Sequence, residues 1–114
     1  MGQIKKELVA ASSVPLVLAV LARGESYGYA IIRDVEQRSG GQLQWTEGML
    51  YPVLHRLEKQ GLIKSAWKVP EKGRKRKYYT VTAKGKKKLS NERSQWQMVN
   101  QTLQSVWECM TCKI

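Results

Sequence analysis

Histidine and cysteine are scarce in this sequence, which contains one histidine and two cysteines. With His55 as its only histidine, the chain lacks the residues for most histidine-based catalytic triads and for multi-histidine metal sites. Its nine acidic residues show no pairing that would form a cleft, and no glycine-rich phosphate loop precedes a predicted helix. The sequence therefore predicts no enzyme, no metal site and no cofactor.

Long hydrophobic runs are also absent. The longest run, Val14–Ala22, has nine residues and contains Pro15, whereas a membrane-spanning helix needs about 20 apolar residues. No basic leader followed by an apolar stretch opens the chain. We therefore expect a cytoplasmic protein with one modest hydrophobic core and no membrane partner.

The two cysteines form a Cys-x-x-Cys pair, Cys109 and Cys112. A structural zinc site needs four ligands, and the chain has no second pair of this kind. The pair also lies outside the strand-to-helix setting of thioredoxin-like redox motifs. Reduced and inert cysteines are the favoured interpretation, and a thiol-based redox or metal sensor is the alternative.

Positive charge is concentrated in one segment of the chain. Of the 20 lysines and arginines behind the net charge of +11, eleven lie between Lys64 and Lys88, where Glu71 is the only acid. A charge excess confined to one segment predicts a surface that meets phosphates. The segment lacks the amphipathic aromatic pattern of a helix that lies on a membrane.

The most informative stretch is Thr46–Ile63, which has the pattern of an amphipathic helix. Thr46 is a candidate N-cap, and Gly61 lies where a helix is expected to end. Apolar residues recur at i, i+3, i+4 and i+7 and predict one buried stripe, formed by Leu50, Val53, Leu54 and Leu57. The outward face is typical of a helix that enters a DNA groove, and its candidate DNA-binding residues are Tyr51, Pro52, His55, Arg56 and Lys59.

A first helix is predicted over residues 3–23, because apolar side chains recur there with a rough period of 3.6 residues. Pro15 interrupts this pattern, so we expect a kink or a break near Ser12–Val14. The expected inward stripe consists of Leu8, Ala11, Leu18, Leu21 and Ala22.

A second helix is predicted over Tyr27–Ser39, with Ser26 as its N-cap and Gly40-Gly41 after its end. Gln42–Trp45 is then expected to form a short extended connection to the third helix. The expected inward residues of the second helix are Tyr27, Ile31, Ile32 and Val35.

After the third helix the pattern changes to that of a β-hairpin. Leu62–Val69 and Lys75–Thr82 are rich in β-branched and aromatic residues, and Pro70–Arg74 between them contains turn-forming residues. Trp67, like Trp45 earlier in the chain, is assigned to packing in the core or the hairpin. The hairpin also carries bases that form either a solvated loop or, as the preceding helix favours, a phosphate-binding surface. These bases are Lys72, Arg74, Lys75, Arg76 and Lys77.

A last helix is predicted over Ala83–Met110, with Thr82 as its N-cap. Its apolar residues are spaced 7, 3, 4, 3 and 4 apart, which is typical of a seam between two helices. At roughly 40 Å this helix is too long for so small a domain to cover, so we expect a homodimer. A long helix folded back on its own domain is the alternative. The expected dimer-interface residues are Leu89, Trp96, Val99, Leu103, Val106 and Met110.

These elements predict a mainly α protein with a two-stranded β-wing. Three helices followed by a hairpin is the order of a winged helix-turn-helix, which we assign to residues 1–82 as a DNA-binding domain. Residues 83–114 are expected to form a long C-terminal dimerisation helix within the same compact unit.

Three motifs resemble those of the PadR-type transcriptional regulators. The segments 51–52, 55–58 and 61–63 (Tyr-Pro, His-Arg-Leu-Glu, Gly-Leu-Ile) resemble the recognition-helix signature of that family. Tyr27-Gly28-Tyr29 resembles its upstream motif, and the segment 73–82 resembles its wing. The resemblance is specific, because the motifs occur in order and at the right spacing. With a single C-terminal helix, the chain is similar to the compact subgroup that senses drugs or phenolic compounds.

This resemblance implies a homodimeric DNA-binding regulator, usually a repressor, and we expect it to bind double-stranded DNA at a palindromic operator. The residues that it places in the major groove are Tyr51, Pro52, His55 and Arg56. Those that it places at the DNA backbone or the adjacent minor groove are Arg74, Lys75 and Arg76.

In the compact subgroup, flat aromatic effectors bind between the last helix and the first, at or near the dimer interface. Trp96 lies in the middle of the predicted seam, where two symmetry-related indoles would stack on a planar ligand. We therefore expect a repressor that a small aromatic or drug-like effector releases from DNA. The alternative is that Trp96 anchors the interface without a ligand. The candidate effector-binding residues are Trp96, Val99, Asn100, Leu8 and Ser12.

A non-catalytic winged-helix module, which docks an acidic protein or coats DNA without sequence preference, is a further class of function. The array of Tyr51, His55 and Arg56 favours sequence-specific binding instead, because docking by charge alone needs no phenol or imidazole.

Overall fold

The computed structural model describes residues 4–70 and 73–112, with side chains described as far as Cys109. Within these ranges the chain forms four helices and three short strands. In chain order they are α1 (Lys6–Ala22), β1 (Ser26–Tyr27), α2 (Gly28–Arg38), α3 (Glu47–Lys59), β2 (Ile63–Lys68), β3 (Arg76–Val81) and α4 (Ala83–Cys112). The predicted mainly helical winged fold is confirmed.

The sheet has one strand more than the sequence predicts. Its order is β1-β3-β2, and both strand pairs are antiparallel. The added strand is β1, in which Ser26 pairs with Tyr79 and Tyr27 pairs with Tyr78. The prediction that Ser26 caps α2 is therefore wrong, since its backbone belongs to the sheet and the N-cap position falls on Tyr27.

Helix α1 runs through Pro15 without the break that the sequence allowed. The hydroxyls of Ser12 and Ser13, one turn before the proline, donate hydrogen bonds to the carbonyls of Val9 (3.1 Å) and Ala10 (2.8 Å). Of the five residues of the predicted inward stripe, only Leu18 and Leu21 are buried. Leu8 and Ala11 are exposed because the early turns extend past the core, and Ala22 is exposed at the end of the helix.

The ends of α2 and α3 follow local signals. Gly40 and Gly41 adopt φ of +63° and +84° just after α2. Thr46 caps α3, because its Oγ1 accepts a hydrogen bond of 3.2 Å from the amide of Met49. At the other end Gly61 has φ +77° and donates to the carbonyl of Glu58, while the next amide donates back to Leu57, both at 3.0 Å. These paired bonds form a Schellman motif, so the predicted ends of α3 are confirmed.

The first turn of α4 packs closely against the residues that follow α3. Thr82 caps it as predicted: its Oγ1 accepts a 3.0 Å bond from the amide of Gly85 and donates a 2.7 Å bond to the carbonyl of Gly61. A Cβ at Gly85 would overlap the carbonyl oxygen of Leu62. Only a glycine therefore allows α4 to leave the wing at this angle.

The core lies between α1, α2, α3 and one face of the sheet. All four residues of the stripe predicted for α3 are buried in it, and Leu50, Leu54 and Leu57 are fully buried. Trp45 packs in this core, whereas Trp67 is 60 % exposed on β2, so of the two predicted placements, core or hairpin, Trp67 takes the hairpin. In the described chain, no helix has both the length and the apolar composition needed to cross a bilayer.

Candidate nucleic-acid interface

The outward face of α3 presents the side chains that the sequence assigns to DNA. Tyr51 is 42 % exposed, and Pro52, His55, Arg56 and Lys59 are exposed on the side opposite the buried stripe. This group contains two cations and no acid, so the face is positively charged. It also offers a phenol and an imidazole for hydrogen bonding.

Helix α2 supports Tyr51 from behind. The ring lies against Gly28, the first residue of α2, where a Cβ would meet Cζ of Tyr51 at 2.8 Å and overlap its hydroxyl oxygen. The absence of a side chain on Gly28 therefore lets the starts of α2 and α3 approach each other, and this contact limits the positions open to the phenol.

Glu58 joins α3 to the wing formed by β2 and β3. The hydroxyl of Ser65 on β2 donates a 2.5 Å hydrogen bond to Oε2 of Glu58, and Nζ of Lys77 on β3 lies 3.8 Å from Oε1. Lys77 is half-buried and shares its charge with Glu58, so it is less available to a phosphate than the sequence suggests. The pair sets the position of the wing relative to α3.

The other wing cations are exposed and lie close to aromatic rings. Nζ of Lys75 is 5.5 Å from the ring centroid of Trp67, and the guanidinium of Arg76 is 4.5 Å from that of Tyr27. Arg74 is also exposed. Lys72, which the sequence assigns to the same surface, lies outside the described residues.

Strand β1 ties the helix-turn-helix to the wing. Glu25, just before β1, forms a 2.6 Å ion pair with Lys68 at the end of β2. The rings of Tyr27 and Tyr78 pack edge to face, with centroids 5.4 Å apart. The hairpin is thus tied to α3 through Glu58 and to the segment before β1 through Glu25.

A cleft of about 780 Å³ separates the wing from the first turns of α2 and α3. One wall carries Tyr29, Glu47 and Tyr51, and the other carries Trp67 with the wing cations. Among the described lining residues Glu47 is the one acid. The remaining lining residues are Tyr27, Gly28, Gly73, Arg74, Lys75, Arg76, Lys77 and Tyr79. We call this cavity the wing cleft.

Tyr29 and Arg33 extend the basic surface along α2. Nη1 of Arg33 donates a 2.9 Å hydrogen bond to the hydroxyl of Tyr29, one turn earlier. This bond raises the pKa of Arg33 above its ordinary value. In a helix-turn-helix the first helix of the motif crosses the DNA backbone, and this pair lies on that helix.

A second cavity, of about 800 Å³, lies between α1 and α4. Of the predicted effector-binding residues it brings together Trp96 and Asn100, whereas Val99, Leu8 and Ser12 are not part of its lining. Its other lining residues are Pro15, Ala19, Arg23, Lys86, Leu89, Ser90, Arg93 and Gln97. We call this cavity the α1–α4 pocket.

The predicted seam on α4 is exposed over its second half. Leu89 packs against the core, while Val99, Leu103 and Val106 are between 41 % and 54 % exposed. The side chain of Met110, the last seam residue, lies outside the described part, as does that of Cys112. Cys109 is exposed and free.

Residues 17–91 match the transcriptional regulator PadR-like family, which is more than half of the chain. The chain belongs to this family. Its structure is similar to that of a transcriptional regulator from Clostridium thermocellum, with a TM-score of 0.81 and 26 % identity, covering 90 % of this chain and 96 % of the other. A PadR-family regulator from Eggerthella lenta gives a TM-score of 0.77 and 32 % identity, with 90 % and 87 % covered.

The transcriptional regulator YqjI of Escherichia coli is 28 % identical over 90 residues, which are 79 % of this chain and 42 % of that protein. The chain thus spans less than half of that regulator. Together these relationships identify this PadR-family protein as a DNA-binding transcriptional regulator.

Several residues that line the wing cleft of this PadR-family protein are not assigned to its site from the sequence, among them Tyr29, Glu47 and Trp67. Tyr29 and Glu47 were missed because their proximity to the wing depends on the fold. Trp67 was assigned to packing, although its place two residues after Ser65 in an alternating strand puts both on one face. The alternation could have placed Trp67 on the inner face of the wing. It could not show that this position lies beyond the end of the core, where the side chain is exposed.

Proposed function

We propose that this PadR-family protein is a homodimeric repressor that binds a palindromic operator in the cytoplasm and leaves it when a small aromatic effector binds. One observation carries the DNA part of this proposal. Tyr51, on the outward face of α3, and the cations of the wing border the same cleft, so a helix in the major groove would bring the wing to the neighbouring backbone.

The exposed seam of α4 supports the dimer. Val99, Leu103 and Val106 lie on one face at spacings of four and three residues, and nothing in the described chain covers them. Pairing with a second copy would remove this apolar face from water and would hold two recognition helices at a fixed separation.

The α1–α4 pocket supports an effector site. Trp96 is 37 % exposed at its edge and offers a flat surface for stacking, and Asn100 one turn later offers an amide for hydrogen bonding. Apolar atoms supply most of the wall surface, as is usual in small-molecule sites, and Arg23, Lys86 and Arg93 add positive charge. An effector here would contact both the first and the last helix, and would therefore change the geometry of the dimer.

Selection of binding sites from a random duplex library tests the DNA part. We expect enrichment of a palindrome with half-sites about one helical turn apart. Tyr51→Ala or His55→Ala should relax the sequence preference, whereas Arg74→Ala should weaken all sequences alike and lower the salt slope by about one. Lys87→Ala removes an exposed cation outside the cleft and serves as the control. Recovery of no preferred sequence at physiological salt would contradict the proposal.

Sedimentation of Leu103→Lys tests the dimer, with Gln104→Lys as a neighbouring control off the seam. We expect the first substitution alone to yield monomers and to weaken operator binding. For the effector, tryptophan fluorescence is titrated with planar aromatic compounds. A saturable signal that Trp96→Ala abolishes and Trp67→Ala retains would support the α1–α4 pocket, and a signal unchanged by Trp96→Ala would count against it.

A further inference from the structure

Trp67 is a large side chain that the wing presents to solvent. It is 60 % exposed, although Ile63 on the same strand is 2 % exposed and Ser65 is bonded to α3. These three residues alternate along β2, so they share the face that is turned towards the recognition helix. The indole therefore extends the inner face of the wing beyond the core and into the wing cleft.

Charge is distributed unevenly around Trp67, with cations on the wing and an acid on α3. Nζ of Lys75 lies 5.5 Å from the ring centroid, and Arg74 and Arg76 also line the cleft. Glu47 lies on the opposite wall, at the start of α3. Phosphates in the cleft would therefore be drawn towards the wing and away from Glu47.

The part of a duplex strand that meets the indole is then its sugar. Bases in a duplex are stacked on one another, and the phosphates would be held by the cations, which leaves the apolar faces of deoxyribose next to Trp67. Covering an exposed indole with an apolar surface is favourable, and the contact adds no charge.

We propose that Trp67 binds DNA by packing on a deoxyribose of the strand that passes through the wing cleft. This inference depends on the proposed DNA binding and adds a contact of a different kind to it. The wing holds the backbone through an apolar contact as well as through ion pairs, and this part of the affinity is independent of salt and of base sequence.

The salt dependence of operator binding separates the two kinds of contact. Trp67→Ala should lower the affinity by about tenfold, which corresponds to about 1.4 kcal/mol, with the slope of log K against log salt unchanged. Lys75→Ala should instead lower that slope by about one. The loss in Trp67→Ala should be equal on the operator and on a scrambled duplex. Val69→Ala is the matched control, because Val69 is 70 % exposed on the same hairpin but does not line the cleft.

Acrylamide quenching gives a second readout that does not depend on a loss of affinity. Operator binding should shield part of the tryptophan emission of the native protein, and this shielding should disappear in Trp67→Phe. Equal shielding in both proteins, or an unchanged affinity in Trp67→Ala, would overturn the inference. The proposed function would still stand as long as the native protein binds the operator. Failure of the native protein to bind any duplex would overturn both.

Discussion

The ring of Tyr51 packs directly on the backbone of Gly28, so the start of the recognition helix rests on the start of the helix before it. Gly28 is buried and Tyr51 is 42 % exposed, which means that one side of the phenol is held by the protein and the other is open to a ligand. The position of the most prominent aromatic residue on α3 is therefore decided by a residue on α2.

Gly28→Ala should destabilise the protein by about 1–3 kcal/mol, the usual cost of overpacking a tight contact. The new methyl group would have to displace Tyr51, so operator affinity should fall as well. Urea denaturation and operator titration measure the two effects. In a Tyr51→Ala background the same substitution should cost little, since the ring is gone.

Gly48→Ala provides the matched control for Gly28→Ala. A Cβ at position 48 would meet only Oγ1 of Thr46, at an ordinary 3.9 Å. Because Gly48 lies within α3, alanine there should stabilise the helix by about 0.5–1 kcal/mol. Equal changes in stability and operator affinity for the two substitutions would show that the contact with Tyr51 is not the cause of the effect at Gly28.

Glu58→Ala should loosen the wing. The loss of the hydrogen bond from Ser65 should cost about 1 kcal/mol, and the 3.8 Å pair with Lys77, which is about one-third exposed, should add only a few tenths. Glu58→Gln keeps an acceptor for Ser65 and should cost less. Urea denaturation of Glu58→Ala, Ser65→Ala and the double variant measures the coupling, and strictly additive costs would argue against this bond.

Glu47→Gln should change stability and DNA binding in opposite directions. The carboxylate lies in the first turn of α3, where its interaction with the helix dipole stabilises the helix by about 0.5 kcal/mol. It also lines the wing cleft, where it repels phosphates, so its removal should raise the affinity for operator and for scrambled DNA alike. A loss of affinity confined to the operator would instead indicate that Glu47 contacts a base.

Tyr79 should make the protein less stable at alkaline pH. Burial, and to a smaller extent the negative charge of Glu58, raises the pKa of Tyr79 above its ordinary value. In the unfolded chain the phenol loses its proton at about pH 10. Above that pH, loss of the proton lowers the free energy of the unfolded state but not that of the folded state, so the free energy of unfolding falls until the folded pKa is passed.

Tyr79→Phe isolates this effect from the titration of the lysines. The variant should lack the part of the alkaline decline that belongs to Tyr79, as measured by urea denaturation between neutral pH and pH values above about 10. Superimposable pH profiles for the native protein and the variant would show that the phenol contributes nothing.

Local signals were enough to predict most of α3. The cap at Thr46 and the glycine at position 61 act through hydrogen bonds that span three to five residues, so their partners are visible in the same stretch of sequence. The same applies to Thr82, which bonds the amide of Gly85 three residues later. The buried stripe of α3 was also predictable, because a period of 3.6 residues separates its two faces.

Long-range pairing overruled local preference elsewhere. Ser26 has the chemistry of a helix cap, but it pairs with Tyr79, which lies 53 residues later, and therefore belongs to a strand. Leu8 belongs to the predicted inward stripe of α1, and a core position is one of the two placements predicted for Trp67, yet each lies where its element has extended past the core. No pattern within a helix or a strand tells how far the neighbouring element reaches.

The amino-acid sequence by itself determined the helices, the hairpin, the outward face of α3 and the excess of positive charge, because periodicity, capping and composition are properties of short stretches of chain. Only the tertiary structure decided that Tyr51 rests on Gly28, that Glu58 holds the wing, and that Tyr29, Glu47 and Trp67 line one cleft. Each of these relationships joins residues on different elements, and their distances are set by how α2, α3 and the sheet pack around a common core.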